Sequence, residues 1–184
     1  MSRVGKLLIA HPNLNEDDWF YRTVVYIYSD SPDQGTLGLT LNVPTTMTVK
    51  GLCKQKGVIF PSEYNQVHKA GPVNETSILL LHSADWHGKN TIKAGNGYKL
   101  TSDNTMFERL SLGDEPAYWR MMMGLAVWQP NQLDMELAGT FPYKSSNSWL
   151  VCDATDDILF NYTSETQWKA AVELCSQQML ETFF

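Results

Sequence analysis

Thr23-Val24-Val25-Tyr26-Ile27-Tyr28 and Thr36-Leu37-Gly38-Leu39-Thr40-Leu41-Asn42-Val43, separated by Ser29 to Gly35, decide the fold. The first run is β-branched and aromatic, the residue types that suit a pleated, half-buried surface. The stretch between holds Asp, Ser, Pro and Gly, which reverse the chain. The second run ends at Pro44, which has no N–H to give to a sheet ladder. Together they predict an antiparallel pair of strands joined by a seven-residue loop.

Upstream, Leu7-Leu8-Ile9-Ala10 reads as a buried strand stopping at His11-Pro12, and Asn13 to Tyr21 as a loop with a helical turn. Downstream, Thr48 to Gly57 reads as a short helix and Val67 to Ala70 as a strand entering Gly71-Pro72-Val73. Ser77 to His82 is apolar enough for a strand covered on both faces. Gly95-Asn96-Gly97 supplies a sharp reversal. Ser102 or Asp103 caps a helix carrying Met106 and Leu110 that stops at Gly113, and Pro130 opens one that stops at Gly139. Ser164 with Gln167 reads as a capping box for the last helix, whose apolar stripe is Trp168, Ala171, Val172, Cys175 and Met179. Tyr118 to Trp128 and Trp149 to Asp153 read as strands, with Ile158-Leu159-Phe160 as a further short one. Strands and helices mix without strict alternation. The fold class is therefore α/β or α+β, a mixed and largely antiparallel sheet flanked by helices in a single compact domain.

The bulk composition sets the function classes. At 184 residues, 43% hydrophobic and 18% charged, the chain is too apolar for disorder and long enough to bury a core. A net charge of −6 with 14 scattered Lys and Arg disfavours direct nucleic-acid binding, which needs a basic face to displace counterions from phosphates. The apolar run Leu7 to Ala10 is too short for a signal core or a membrane span. Cys53, Cys152 and Cys175 are odd in number, widely spaced and without CxxC, so a reducing, cytoplasmic setting is expected.

No catalytic constellation is complete. His82, Asp85 and His87 follow a strand and are metal-ligand types, but their spacing matches no zinc signature and no second cluster completes it. There is no GxSxG elbow, Walker loop or GxGxxG. Cys175 lies on a core stripe, Asp153 disfavours a Cys152 thiolate, and Cys53 is the thiol expected at the surface. The Met121-Met122-Met123 run reads as a packed strand. No metal and no cofactor is expected.

Five segments, in order, resemble the AlgH-like (YqgE-like) family: Leu7 to Leu14 with Phe20 to Val25; Gly35 to Pro44; Ala70-Gly71-Pro72-Val73; Leu100 to Asp103; and Gly124 to Glu136. The family's Gly-Gly-Pro-Val appears as Ala70 to Val73, its Gly-Tyr-Ala-Gly-Trp as Gly124-Leu125-Ala126-Val127-Trp128, and its Pro-Gly-Gln-Leu-Glu as Pro130-Asn131-Gln132-Leu133-Asp134. The lost glycines and tyrosine mark a divergent, bacterial or phage-encoded branch. The resemblance implies one AlgH-like domain over residues 1–184 of a bacterial cytoplasmic protein. Such proteins are often labelled transcriptional regulators, and regulation here is expected through a protein partner or small ligand, with no membrane role. The candidate binding residues are His11, Arg22, Asn42, Gly71, Pro72, Trp128, Gln132 and Glu136, which are polar, aromatic or special in backbone, several of them where strands end or helices start. The N-terminus of the helix after Trp128-Gln129-Pro130 could hold an anion. The bland alternative gives each a structural role: Arg22 pairs a carboxylate, Gly71-Pro72 turns the chain and Trp128 fills the core. The rival functional readings are an enzyme or metal protein using His11 or the His82, Asp85, His87 group, and a direct DNA-binding regulator.

Overall fold

The computed structural model describes residues 2–63, 65–95, 97–140, 142 and 148–183. Asn96, the centre of the expected Gly95-Asn96-Gly97 reversal, lies outside the described residues, but the strands on either side of it pair as a hairpin requires. Strands β1 (Lys6–Ala10), β2 (Val24–Ser31), β3 (Gly35–Thr40), β4 (Pro44–Thr48), β5 (Gln66–Lys69), β6 (Val73–Ser83), β7 (Thr91–Lys93), β8 (Tyr98–Thr101), β9 (Trp119–Trp128) and β10 (Trp149–Asp153) form the sheet. Helices α1 (Val49–Gln55), α2 (Met106–Ser111), α3 (Gln132–Ala138), α4 (Asp156–Phe160) and α5 (Ser164–Glu181) accompany it. The main order is β10-β1-β2-β3-β9-β6-β8-β7, with β5 pairing β9 and β4 pairing β5. Among the described residues every strand pair is antiparallel except β5 with β9.

The deciding pair forms as read, with a shorter connection. β2 runs on to Ser31, a bulge between Ile27 and Ser29 shifts its register, and only Pro32 to Gln34 remain as loop. Asp30 explains the extension: its carboxylate accepts from the Arg3 backbone N–H at 2.7 Å and the Thr36 hydroxyl at 2.6 Å, which ties the strand ends together.

Along β9 successive side chains face opposite sides. Met122 and Ala126 join a core that also takes Leu7, Ile9, Tyr26, Leu81, Trp128, Trp168 and Cys175, on the side covered by α4 and α5. Met121 joins a second core with Leu80, Phe60, Met106 and Phe107, under α1 and α2. The methionine run is thus a packed strand, and β6 is covered on both faces as its apolar run requires. Each fully buried large side chain stabilises the fold by about 1.5–3 kcal/mol.

One edge of β9 serves two partners. Residues Ala126 to Trp128 pair with β3, and Met121 to Met123 pair with β5. Ala70 sits at the switch, its N–H donating to Met123 O at 2.7 Å and its carbonyl accepting from Thr40 N at 2.8 Å. Gly71 follows against the β9 backbone, so close that a Cβ there would lie 2.0 Å from the Leu125 carbonyl carbon.

Helix ends correct three expectations. Ile158-Leu159-Phe160 is helical, because the Thr155 hydroxyl accepts from Ile158 N at 3.3 Å and starts α4. The Ser164–Gln167 capping box does not form, since Gln167 is fully buried and bonded elsewhere, and Thr163 is the N-cap. Met179 is 52% exposed, so the apolar stripe of α5 ends a turn early. Asp103 lies just outside α2 and accepts from the Thr105 N–H and hydroxyl at 3.1 and 2.8 Å.

Candidate functional site

Three buried polar residues, His68, Arg120 and Gln167, gather where β5 and β9 run under the start of α5. Arg120 falls on the same face of β9 as Met122, which aims its guanidinium beneath the helix. It donates to Leu41 O at 2.7 Å, Gln167 Oε1 at 2.9 Å and Tyr162 O at 2.5 Å. Gln167 is held in turn by donating its amide to Ile158 O at 2.7 Å. Beside Arg120, His68 of β5 shares a hydrogen bond with the Thr163 hydroxyl through Nε2 at 3.2 Å.

Two of the expected site residues build the wall of this region. Asn42 accepts from Val24 N at 2.9 Å and donates to Arg22 O at 2.9 Å and Ser164 O at 3.0 Å. It therefore joins β2, the preceding loop and the first residue of α5, where Arg22 and Ser164 have φ of 51° and 53°. Backbone strain of that kind persists only where surroundings fix it. The Arg22 guanidinium reaches Glu165 at 3.0 Å and lies 5.4 Å from the Trp168 ring.

The electrostatics of Arg120 and His68 are unusual. All three acceptors of Arg120 are neutral, and no carboxylate lies within ion-pair reach among the described residues. Burial pulls its pKa down to about 10, so it stays cationic at neutral pH. Burial first, and then the neighbouring Arg120 charge, lower the His68 pKa to about 4, so the ring is neutral. The Gln66 backbone lies close enough to oppose that shift, but without hydrogen-bond geometry, and His68 Nδ1 is buried with no partner. A guanidinium has five N–H donors, and three are used here. The Nε–H and one Nη2–H have no partner among the described residues. Arg120 and His68 line an open surface pocket of about 230 Å³ with Asn65, Gln66, Trp119, Met121 and Phe160.

Trp128, Gln132 and Glu136 come together elsewhere. Glu136 Oε2 accepts from the Trp128 indole at 3.1 Å and the Trp149 indole at 2.9 Å, and Oε1 accepts from the Gln132 amide at 3.0 Å. Phe20 stacks on Trp128, with centroids 5.6 Å apart. Gln132 Oε1 accepts from Gln129 N at 2.9 Å and so occupies the start of α3. Asn131 stands where the family has glycine and takes φ of 65°, a conformation that asparagine tolerates better than most residues. Gly71 is buried, Pro72 is exposed, and His11 at the end of β1 accepts from Asn13 N at 3.1 Å within its own turn.

His82 is fully buried, with its ring nitrogens at 2.8 Å from Ser83 O and 2.9 Å from Thr101 Oγ1, while His87 is exposed. Among the described residues no group of three His, Cys, Asp or Glu could hold a metal ion. Cys53, expected at the surface, is fully buried against Leu52, Val67 and their neighbours, and burial raises its thiol pKa. Its place on the inner face of α1 decides this, and a seven-residue helix that also carries Lys50 and Lys54 shows too little periodicity to reveal it. Sequence reading missed Arg120 and His68. The available signal was an arginine between Trp119 and Met121 in an otherwise apolar strand, where a charge is costly.

The curled ten-stranded sheet, its parallel β5 insertion and the polar centre under α5 define an α/β protein with helices on both sheet faces. The AlgH-like family profile matches residues 7–180, and the chain belongs to that family. A UPF0301 protein of Ruegeria pomeroyi is 33% identical over 180 residues, covering 95% of this chain and 92% of the relative. A UPF0301 protein of Gluconobacter oxydans is 32% identical over 171 residues, 91% of this chain and 88% of the relative. The solution structure of the AlgH protein from Pseudomonas aeruginosa shares the fold with a TM-score of 0.76 at 24% identity, covering 94% of this chain and 88% of that one. A crystal structure of a Corynebacterium diphtheriae protein aligns with a TM-score of 0.66 at 21% identity, covering 85% and 78%.

Proposed function

We propose that this chain is a non-catalytic binding protein of the bacterial cytoplasm that regulates by holding a protein partner or small ligand. The observation carrying this reading is Arg120, a buried cation with spare donors beside a cavity and no counter-charge among the described residues. Several side chains with catalytic potential are committed to structure: Glu136 to two indoles, His82 to Ser83 and Thr101, and all three thiols to the interior. The net charge of −6 argues against duplex DNA as the partner.

The test is affinity capture of the tagged protein from bacterial cells, followed by mass spectrometry of proteins, nucleic acids and small molecules. One stoichiometric protein partner or metabolite is the expected result. Recovery of duplex DNA that dissociates with salt, of a stoichiometric metal ion, or of nothing at all, would overturn the proposal.

A further inference from the structure

The cavity between β5, β9 and the end of α4 combines features that select a ligand chemistry. Resting on the binding reading above, we infer that it takes a small organic carboxylate with a flat apolar body, held by Arg120. The two donors left on Arg120 belong to Nε and Nη2, which share one edge of the guanidinium. That edge takes a carboxylate through two parallel hydrogen bonds. A buried cation without a counter-ion is costly to the fold, and a bound anion removes that cost.

The walls fix the rest of the molecule. Trp119 and Phe160 offer aromatic surface, and Asn65 and Gln66 stand with them as the uncharged polar wall. His68 is neutral, so Arg120 supplies the charge. At about 230 Å³ the cavity falls below the roughly 300–1,000 Å³ of pockets for drug-sized ligands. A single-ring acid fits that limit better than a nucleotide.

Replacing Arg120 would remove three internal hydrogen bonds and risk the fold, so the test begins with the wild-type protein. Benzoate, its neutral isostere benzamide, and inorganic phosphate are titrated at pH 7 by calorimetry and by NMR of the arginine Nε–Hε signals. Saturable benzoate binding that moves the Arg120 Nε–Hε signal, with benzamide at least about tenfold weaker, supports the inference, since tenfold is about 1.4 kcal/mol. Gln66→Glu sets a carboxylate at the cavity beside the same cation. Gln66 is exposed, so the fold tolerates the change. Repulsion should weaken benzoate by about tenfold or more. Equal binding of benzamide would overturn the anion assignment while leaving the binding reading intact. Phosphate preferred over benzoate would overturn the carboxylate class. If no probe moves Arg120 while capture still recovers a protein partner, this inference falls and the broader reading stands.

Discussion

Removing the Glu136 carboxylate separates a structural from a binding role at the Trp128 group. One oxygen, Oε2, accepts from two indoles, those of Trp128 and Trp149, which are 2% and 7% exposed. Glu136→Ala leaves both N–H groups without that acceptor. An unpaired buried donor costs about 1–3 kcal/mol. Glu136 is only half-buried, so water reaches the vacated position and the lower part of that range applies. The expected loss is about 2–4 kcal/mol for the pair. At about 2–4 °C per kcal/mol for a chain of this size, the melting temperature should fall by roughly 4–16 °C. Glu136→Gln keeps an amide oxygen that can accept from both indoles but loses the charge assistance and the acceptor for the Gln132 amide, so about 1–2 kcal/mol is expected. The assay is urea unfolding followed by circular dichroism, with midpoints compared at constant slope. An alanine variant within about 0.5 kcal/mol of wild type, or a glutamine variant as damaged as alanine, would refute this reasoning.

Three further outcomes follow from the same geometry. Gly71→Ala places a Cβ 2.0 Å from the Leu125 carbonyl carbon and 2.3 Å from Ala126 N. That backbone cannot yield as a side chain would, so the loss should exceed the ~1–3 kcal/mol typical of overpacking, whereas Pro72→Ala at the exposed neighbour should change little; equal unfolding midpoints for the two would contradict this. His68 has a folded pKa of about 4 against 6.5 when unfolded. Below pH 6.5 the unfolded chain takes the proton first, so stability is full above 6.5 and declines as pH falls toward 4, by about 3 kcal/mol in all. His68→Gln should flatten the difference in urea midpoint between pH 7 and pH 5, and an unchanged slope would show that His68 is not the titrating group. Cys53, Cys152 and Cys175 are buried, with thiol pKa values raised by burial, Cys152 to about 12. A disulfide reagent should therefore label the native protein slowly and the urea-unfolded protein fully, and fast native labelling would contradict the packing.

Local pattern carried most of the fold. The β2–β3 pair, α1 with its Thr48 cap, and the β9 strand are set by residues close together in the chain, and each formed where read. What local pattern could not show was pairing at long range. Nothing in Gln66 to Lys69 reveals a parallel partner in β9, and that pairing places His68 beside Arg120. Ile158-Leu159-Phe160 is too short for periodicity to separate strand from helix, and the Thr155 cap decided it. Among the expected site residues, Arg22 and Asn42 frame the start of α5, while Trp128, Gln132 and Glu136 form a separate network. Ser164 and Gln167 carry a capping-box pattern, but Arg120 recruits Gln167 inward. A lone buried charge overrides a local propensity when nothing else can satisfy it.

The most direct measurement is a paired capture from bacterial cells, using the tagged wild-type protein and Gln66→Trp, whose indole fills the cavity mouth. The binding reading predicts a stoichiometric partner or metabolite on the wild type that is lost or strongly reduced on the blocked variant. Identical recoveries from both proteins, or a bare chain in each, would contradict a function centred on Arg120.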